Sequence, residues 1–359
     1  MGIHIDRVLG AAISAEASDI HLRVGVPPTL VVNGLLTPLK TNPLNDEDMV
    51  SAIKQIAGDK PKVEIAIFEQ GGADFAIEYT YNGVTARFRC NAFKEQGHQA
   101  AVLRRLPSRI LKASDIGFPK KVLELVTRPR GLFLVTGPTG SGKTTTLASI
   151  VAYIAEAKPQ HILTIEEPTE YRFSHGKSII TQREVPNDVA SFGDGLRQGL
   201  RQAPNTIMDG EMRDIETMEV AIRAAETGHL VLATLHTVSA AKTVDRIIEA
   251  FPEGKQAEIR AIISTSLLGI LGQQLLLKKD KDGRVAAFEF MAMTPGIANC
   301  IRERKTSAIN DAIQSGANMG MRLLDEHLIT LVRSGTVDAE EAIAKANEPE
   351  KMRQRLMNP

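Results

Sequence analysis

Tryptophan is missing from this chain, and the three aromatic residue types together make up only 4% of it. Few side chains are therefore available as stacking platforms for single-stranded nucleic acid. Charge does not make up the deficit: 43 Lys and Arg face 43 Asp and Glu, for a formal net charge of zero. That balance argues against a general nucleic-acid binder and leaves only a local basic patch open. The two cysteines, Cys90 and Cys300, are too far apart in sequence for a CxxC pair, so neither a zinc ribbon nor a disulfide framework is expected. No apolar run approaches the roughly 20 residues that span a bilayer. The opening MGIHIDRVLG is amphipathic from the start and shows no signal-peptide pattern. The expectation is a cytoplasmic protein without a transmembrane segment.

At 359 residues the chain has room for about two or three domains. Residues 1–105 read as a separate α+β module. Ile5, Val8, Leu9, Ala12 and Ile13 have helical spacing over residues 3–16. Strands are expected over Ile20–Val24 and on both sides of Asn33-Gly34 within Thr29–Leu39, and a helix over Asn45–Ile56 capped by Asn45 or Asp46. Two further strands, Ala73–Tyr79 and Val84–Phe93, flank Asn82-Gly83. A linker is placed at 106–118. From residue 119 onward apolar strand-like runs alternate with helical stretches, the pattern of an α/β sheet. The strands are Gly131–Val135, His161–Ile165, Thr206–Met208 and Leu230–Leu235; the helices are Lys143–Glu156, Ser191–Gln202 and Ile215–Thr227. Beyond Gln256 the chain reads as mostly helical, broken by a hairpin around Asp280–Gly283.

The most informative segment is Gly137-Pro138-Thr139-Gly140-Ser141-Gly142-Lys143-Thr144, set directly behind the apolar run 131–136. A buried strand, a glycine-rich turn and a helix start are the context a phosphate-binding loop requires. Its glycines let backbone N–H groups curl around a phosphate, and the helix N-terminus adds partial positive charge. Lys143 can reach the β/γ oxygens and Thr144 can place a hydroxyl on Mg²⁺. Thr139, Gly140, Ser141, Gly142 and Thr145 complete the expected nucleotide contacts, for ATP or GTP.

Three more segments bear on hydrolysis. Glu166 and Glu167 follow an apolar strand, where carboxylates face the ligand crevice of an open α/β sheet, and Glu166 suits Mg²⁺ directly or through water. Glu211, behind strand 206–208, is placed to polarise water as general base, a role worth ~10²–10⁴-fold. Asp209 interrupts the buried end of the same strand and is read as a water-mediated Mg²⁺ ligand, with a plain strand-end position as the alternative. His229 and His236 bracket an apolar strand; His236 faces the crevice and can sense the γ-phosphate, whereas His229 lies at the other end. Phosphoryl transfer also calls for arginine, worth ~10³–10⁵ when supplied in trans. Arg104 and Arg213 stand ahead of Arg87, Arg89, Arg105, Arg197, Arg201, Arg223 and Arg246 for that role.

GPTGSGKTTT, ILTIEEPTEY, LRQAPNTIMDGEMRD and TGHLVLATLHT, in this order and spacing, resemble the boxes of the secretion ATPase superfamily, and within it the type IV pilus retraction ATPases of twitching motility. SDIHL near the start, RFRCNAF and RRLP extend the likeness over nearly the whole chain. The resemblance implies an N-terminal PAS-like domain (1–105), a RecA-like ATPase domain with a helical C-terminal part (119–359), and a homohexamer with ATP between subunits. It further implies docking on an inner-membrane platform protein at the pilus base. By the same resemblance Lys143 and Thr144 belong to the phosphate loop, Glu166 to the acidic box, Glu211 is the catalytic glutamate, and His229 and His236 form a histidine box.

The chain also departs from the pattern. Glu166-Glu167 stands where the family more often has Glu-Asp, and Asp209 where it has an apolar residue. Gly296-Ile297-Ala298-Asn299-Cys300-Ile301-Arg302-Glu303 replaces the retraction motif Ala-Ile-Arg-Asn-Leu-Ile-Arg-Glu. There Thr294 and Pro295 suit a helix start, with Ile297 and Ile301 facing the core. An accessory retraction paralogue stays open on that ground. Pilus-assembly and type II secretion ATPases share the four boxes, but they usually carry a tetracysteine zinc module that this chain lacks. A nucleic-acid translocase and a non-hydrolysing sensor are the remaining alternatives; the first conflicts with composition, the second with Lys143 and Glu211 both being present.

Overall fold

The computed structural model describes residues 4–58, 71–281 and 283–357. It divides into two compact units, Met1–Arg109 and Ile110–Pro359.

The first unit orders its elements as α1 (Ile5–Ser14), β1 (Asp19–Leu22), β2 (Thr29–Val32), β3 (Leu35–Pro38), α2 (Asp46–Ala57), β4 (Gly72–Tyr81), β5 (Val84–Glu95) and β6 (His98–Arg105). Among the described residues they form an antiparallel sheet in the order β3-β2-β1-β6-β5-β4. Ile5 and Leu9 of α1 and Met49 and Ile53 of α2 share one apolar core with Ile20, Leu22, Phe88 and Leu103 of the sheet. Both Asn-Gly pairs make the expected tight turns, with φ of +51° and +80° at Asn33 and Gly34 and +49° and +77° at Asn82 and Gly83. Asn45 caps α2 in a reciprocal box with Asp48. One strand is missing from the sequence reading: β6 follows a third tight turn at Gln96-Gly97, and its signal is weak because glutamine stands where asparagine would advertise the left-handed φ.

The second unit contains α3 (Ala113–Ile116), α4 (Lys120–Leu125), β7 (Gly131–Thr136), α5 (Lys143–Ala157), β8 (His161–Glu166), β9 (Ile179–Glu184), α6 (Phe192–Gly199), β10 (Thr206–Asp209), α7 (Ile215–Thr227), β11 (Leu230–Leu235), α8 (Ala240–Glu249), α9 (Glu253–Ser266), β12 (Leu267–Leu277), β13 (Arg284–Ala292) and α10 (Pro295–Arg302). Helices α11 (Ile309–Ser315), α12 (Leu324–Arg333), α13 (Ala339–Lys345) and α14 (Pro349–Met357) complete it. The sheet order is β13-β12-β7-β11-β10-β8-β9, parallel except for the β12–β13 pair. Every residue of β7, β10 and β11 is buried, as strands covered on both faces require.

Beyond Gln256 the chain is mostly helical and is broken by a hairpin, as expected, but the hairpin's arms β12 and β13 are long strands that extend the sheet beside β7. An apolar run such as LLGILGQQLLL fits helix or strand by periodicity alone. Gly269 decides in favour of strand, since a Cβ there would lie 2.7 Å from the Met291 carbonyl oxygen across the pair. The turn between them falls where the sequence places it, although residue 282 lies outside the described residues. Edge strand β9 is likewise absent from the sequence reading.

Helix α10 begins as anticipated: Thr294 Oγ1 accepts the Ile297 N–H at 3.2 Å, Ile297 and Ile301 are fully buried, and Arg302 and Glu303 are exposed. Among the described residues no helix is long and apolar enough to cross a membrane.

Candidate functional site

Parallel strands β7, β8, β10 and β11 lie side by side and therefore deliver their C-terminal ends to one edge of the sheet, the edge that binds ligands in open α/β folds. Strand β7 ends in the glycine-rich loop. Gly137, Gly140 and Gly142 have φ of +145°, +78° and +87°, values an L side chain rarely adopts. Thr139 and Gly140 are exposed at the tip, while Ser141 is buried. Lys143 opens α5 and turns back on its own loop, donating from Nζ to the carbonyls of Gly137 at 2.8 Å and Pro138 at 3.1 Å. Burial lowers its pKa and the nearby charge of Glu211 opposes that shift. Thr144 is half-buried in the first turn of α5, and Thr145 Oγ1 lies 2.9 Å from the Tyr171 hydroxyl.

Glu166 is the last residue of β8 and is only 4% exposed. Thr164, one pleat earlier on the same face, donates to its Oε1 at 2.8 Å, and Gln182 of β9 donates from 3.4 Å. Burial outweighs these bonds and pushes the carboxyl up to about 7. Glu211 stands just past β10 with both oxygens engaged. Its Oε1 is 2.9 Å from His236 Nε2, and its Oε2 accepts from Arg213 Nε at 2.8 Å. The same guanidinium donates from Nη1 to Glu167 Oε2 at 2.8 Å. His236, Glu211, Arg213 and Glu167 thus form a continuous polar chain across the ends of three strands. A cleft of about 710 Å³ opens beside Arg213, with Ile215, Met218 and Arg246 in its wall.

Asp209 does not belong to that chain. It is fully buried, in register with Ile165 on one side and Ala233 on the other. Among the described residues neither carboxyl oxygen has a partner in good hydrogen-bond geometry. Burial, followed by the charges of Asp214 and Glu211, raises its pKa to about 8; the Glu211 backbone N–H offsets this least. Sealed from solvent, it fits the plain strand-end reading and not a water-mediated Mg²⁺ ligand.

One expected site residue is not brought to this edge, and another belongs to the first unit. His229 sits at the opposite end of β11, with Nδ1 3.2 Å from the Ala224 carbonyl. Arg104 belongs to the first unit, where its Nε donates to Asp19 Oδ1 at 2.8 Å. Arg197 and Arg223 are occupied in helix-surface ion pairs with Asp194 and Glu216, and with Glu219 and Glu258. Conversely, Gln273 of β12 reaches the phosphate loop and was invisible to motif reading; its only signal was a polar pair, Gln273-Gln274, inside an apolar run.

The donor set suits a hard divalent cation. The Thr144 hydroxyl and the buried Glu166 carboxyl supply oxygen, the ligand type Mg²⁺ prefers. Among the described residues no group of three or more His, Cys, Asp or Glu could hold a metal alone. The remaining ligands would have to be nucleotide phosphates and water.

The family model for "Type II/IV secretion system protein" matches residues 2–357. The type IV pilus retractation ATPase PilT of Pseudomonas aeruginosa is 43% identical over 346 residues, covering 96% of this chain and 99% of that protein. The type IV pilus ATPase PilU of the same organism is 34% identical over 351 residues, covering 98% and 91%. A crystal structure of the pilus retraction motor PilT with bound ADP superposes with a TM-score of 0.89 at 43% identity, covering 98% of this chain and 99% of that one.

Proposed function

The chain belongs to the type II/IV secretion system protein family, and from that premise we propose that it is a Mg²⁺-dependent, ATP-hydrolysing homohexameric motor that powers type IV pilus retraction. The observation that carries this reading is Glu211, held between His236 and Arg213 at the sheet edge that also bears the phosphate loop. It is supported by identity to the retraction ATPase that is higher than identity to PilU, at 43% against 34%.

The loop N–H groups and Lys143 bind the phosphates. To do so Lys143 must exchange the two carbonyls it now holds for phosphate oxygens, a favourable trade for a cation. Thr139 to Gly142 and Thr145 shape the loop around the nucleotide, and Thr144 and Glu166 would hold Mg²⁺, which when bound would supply charge neutralisation at the phosphates. Glu211 accepts the proton of the attacking water. For that, one oxygen must be released from Arg213 or His236, so the resting network keeps the base occupied until a γ-phosphate draws Arg213 or His236 away. Arg104, from a PAS-like domain spanning 1–105, acts in trans at composite sites in the ring. A linker at 106–118 joins that domain to a RecA-like ATPase domain at 119–359. The motor works in the cytoplasm, docked on the inner-membrane platform protein at the pilus base.

Phosphate release from ATP by the purified protein tests the enzymology. Deleting the gene tests the direction of work: hyperpiliated, non-twitching cells are expected, and bald cells would assign the protein to assembly.

A further inference from the structure

The phosphate loop is held by a residue that its own motif does not contain. Gln273 is 4% exposed and lies on β12, just beyond Gly272, which pairs with Thr136 at the point where β7 turns into the loop. Its Oε1 accepts from Thr146 Oγ1 at 2.7 Å, and its Nε2 donates to the Ser141 carbonyl at 2.7 Å. The loop's glycines are fitted around it: a Cβ at Gly137 would lie 2.2 Å from the Gln273 carbonyl oxygen, and one at Gly142 would lie 2.8 Å from Nε2. We infer that Gln273 is a positioning residue for nucleotide binding, one that fixes the curl of the phosphate loop by holding Ser141 and Thr146 at a set spacing.

The chemistry requires an amide. One group must accept from a hydroxyl and donate to a carbonyl at the same time, and among side chains of this length only glutamine does both without charge. Glutamate would turn an acceptor toward the Ser141 carbonyl, and leucine would leave two buried polar groups unpaired. A loop already curled pays less ordering entropy when phosphate arrives. Because the loop grips ADP and ATP alike, the benefit falls on affinity and KM more than on the chemical step. The inference rests on the reading of this loop as an ATP site.

The test uses the full-length protein, a fluorescent ADP analogue and steady-state ATP turnover. Gln273→Leu should weaken ADP binding and raise KM for ATP roughly tenfold, as expected for two lost buried hydrogen bonds, with kcat changed less than about threefold. Thr146→Val should cost less alone and add little to Gln273→Leu, because the two share one network. A lowered melting temperature with unchanged KM and ADP affinity would make Gln273 merely structural and overturn the inference. Should Gln273→Leu fail to fold, Thr146→Val with wild-type ADP affinity would overturn it equally. A wild-type chain that binds no ADP would instead overturn the nucleotide reading itself.

Discussion

Nε2 of His236 stands 2.9 Å from Oε1 of Glu211 while Arg213 holds Oε2 of the same carboxylate. In its proposed role as general base Glu211 must be fixed in place yet able to release one oxygen to water, and these two neighbours would provide the fixing. Glu211→Ala should bind ADP normally but hydrolyse ATP ~10²-fold or more slowly. His236→Ala should leave ADP binding intact and slow turnover by about tenfold, through a mispositioned base. Lys143→Ala should lose nucleotide binding altogether. Normal turnover by the Glu211 variant in a phosphate-release assay would remove that residue from the base role.

The buried Asp209 imposes a pH dependence on stability. Its carboxyl titrates at about 8 in the folded chain and near 4 when unfolded. Between those values the folded state retains a proton that the unfolded state gives up. The native protein therefore loses stability from this group as pH rises from about 4 to 8. Asp209→Asn should raise the melting temperature at pH 8 by about 8–16 °C relative to its effect at pH 5, since the nearly three pH units between the two correspond to ~4 kcal/mol and each kcal/mol to about 2–4 °C. Thermal melts at the two pH values decide, and equal shifts at both would mean that Asp209 is ionised or exposed in the native state.

Shared sites in the proposed ring predict complementation. Arg104→Ala subunits and Lys143→Ala subunits, each inactive alone, should regain part of the ATPase activity when mixed, because some interfaces then combine an intact loop with an intact arginine. Mixtures that stay inactive, although each variant forms hexamers by light scattering, would confine Arg104 to its Asp19 pair.

In the proposed motor, helix α10 should separate hydrolysis from output. Ile297 and Ile301 anchor it in the core, and Arg302 and Glu303 face solvent. Arg302→Ala together with Glu303→Ala should leave assembly and most ATPase activity unchanged while abolishing twitching in a stab assay. Normal twitching with both charges gone would reduce this segment to an ordinary amphipathic helix.

Much of this architecture is legible in the sequence because local rules act alone there. Asn33-Gly34 and Asn82-Gly83 encode their turns through left-handed φ, Asn45 and Thr294 mark helix starts, and the phosphate loop declares itself by its glycines. What escapes is non-local. Strand β6 hides behind Gln96-Gly97, and β12 is decided only by Met291 crowding Gly269 across the pair. Glu211 is readable from its place behind an apolar strand. Its grip by Arg213 and His236 is not, since the contacts depend on how three loops fall together. Gln273 is further still from its target in sequence, and no spacing rule connects it to Ser141.

That distance bears on how the protein is made. Ser141 and the amide beneath it are 132 positions apart, and β7 borders β12 directly. Synthesis at roughly 5–20 residues per second leaves the glycine loop outside the ribosome for several seconds before its flanking strand exists. All four recognisable boxes are complete by Thr237, yet a nascent chain of that length has an open edge along β7. Any nucleotide it meets then finds an unwalled loop, and the site closes only when β12, complete at Leu277, has emerged.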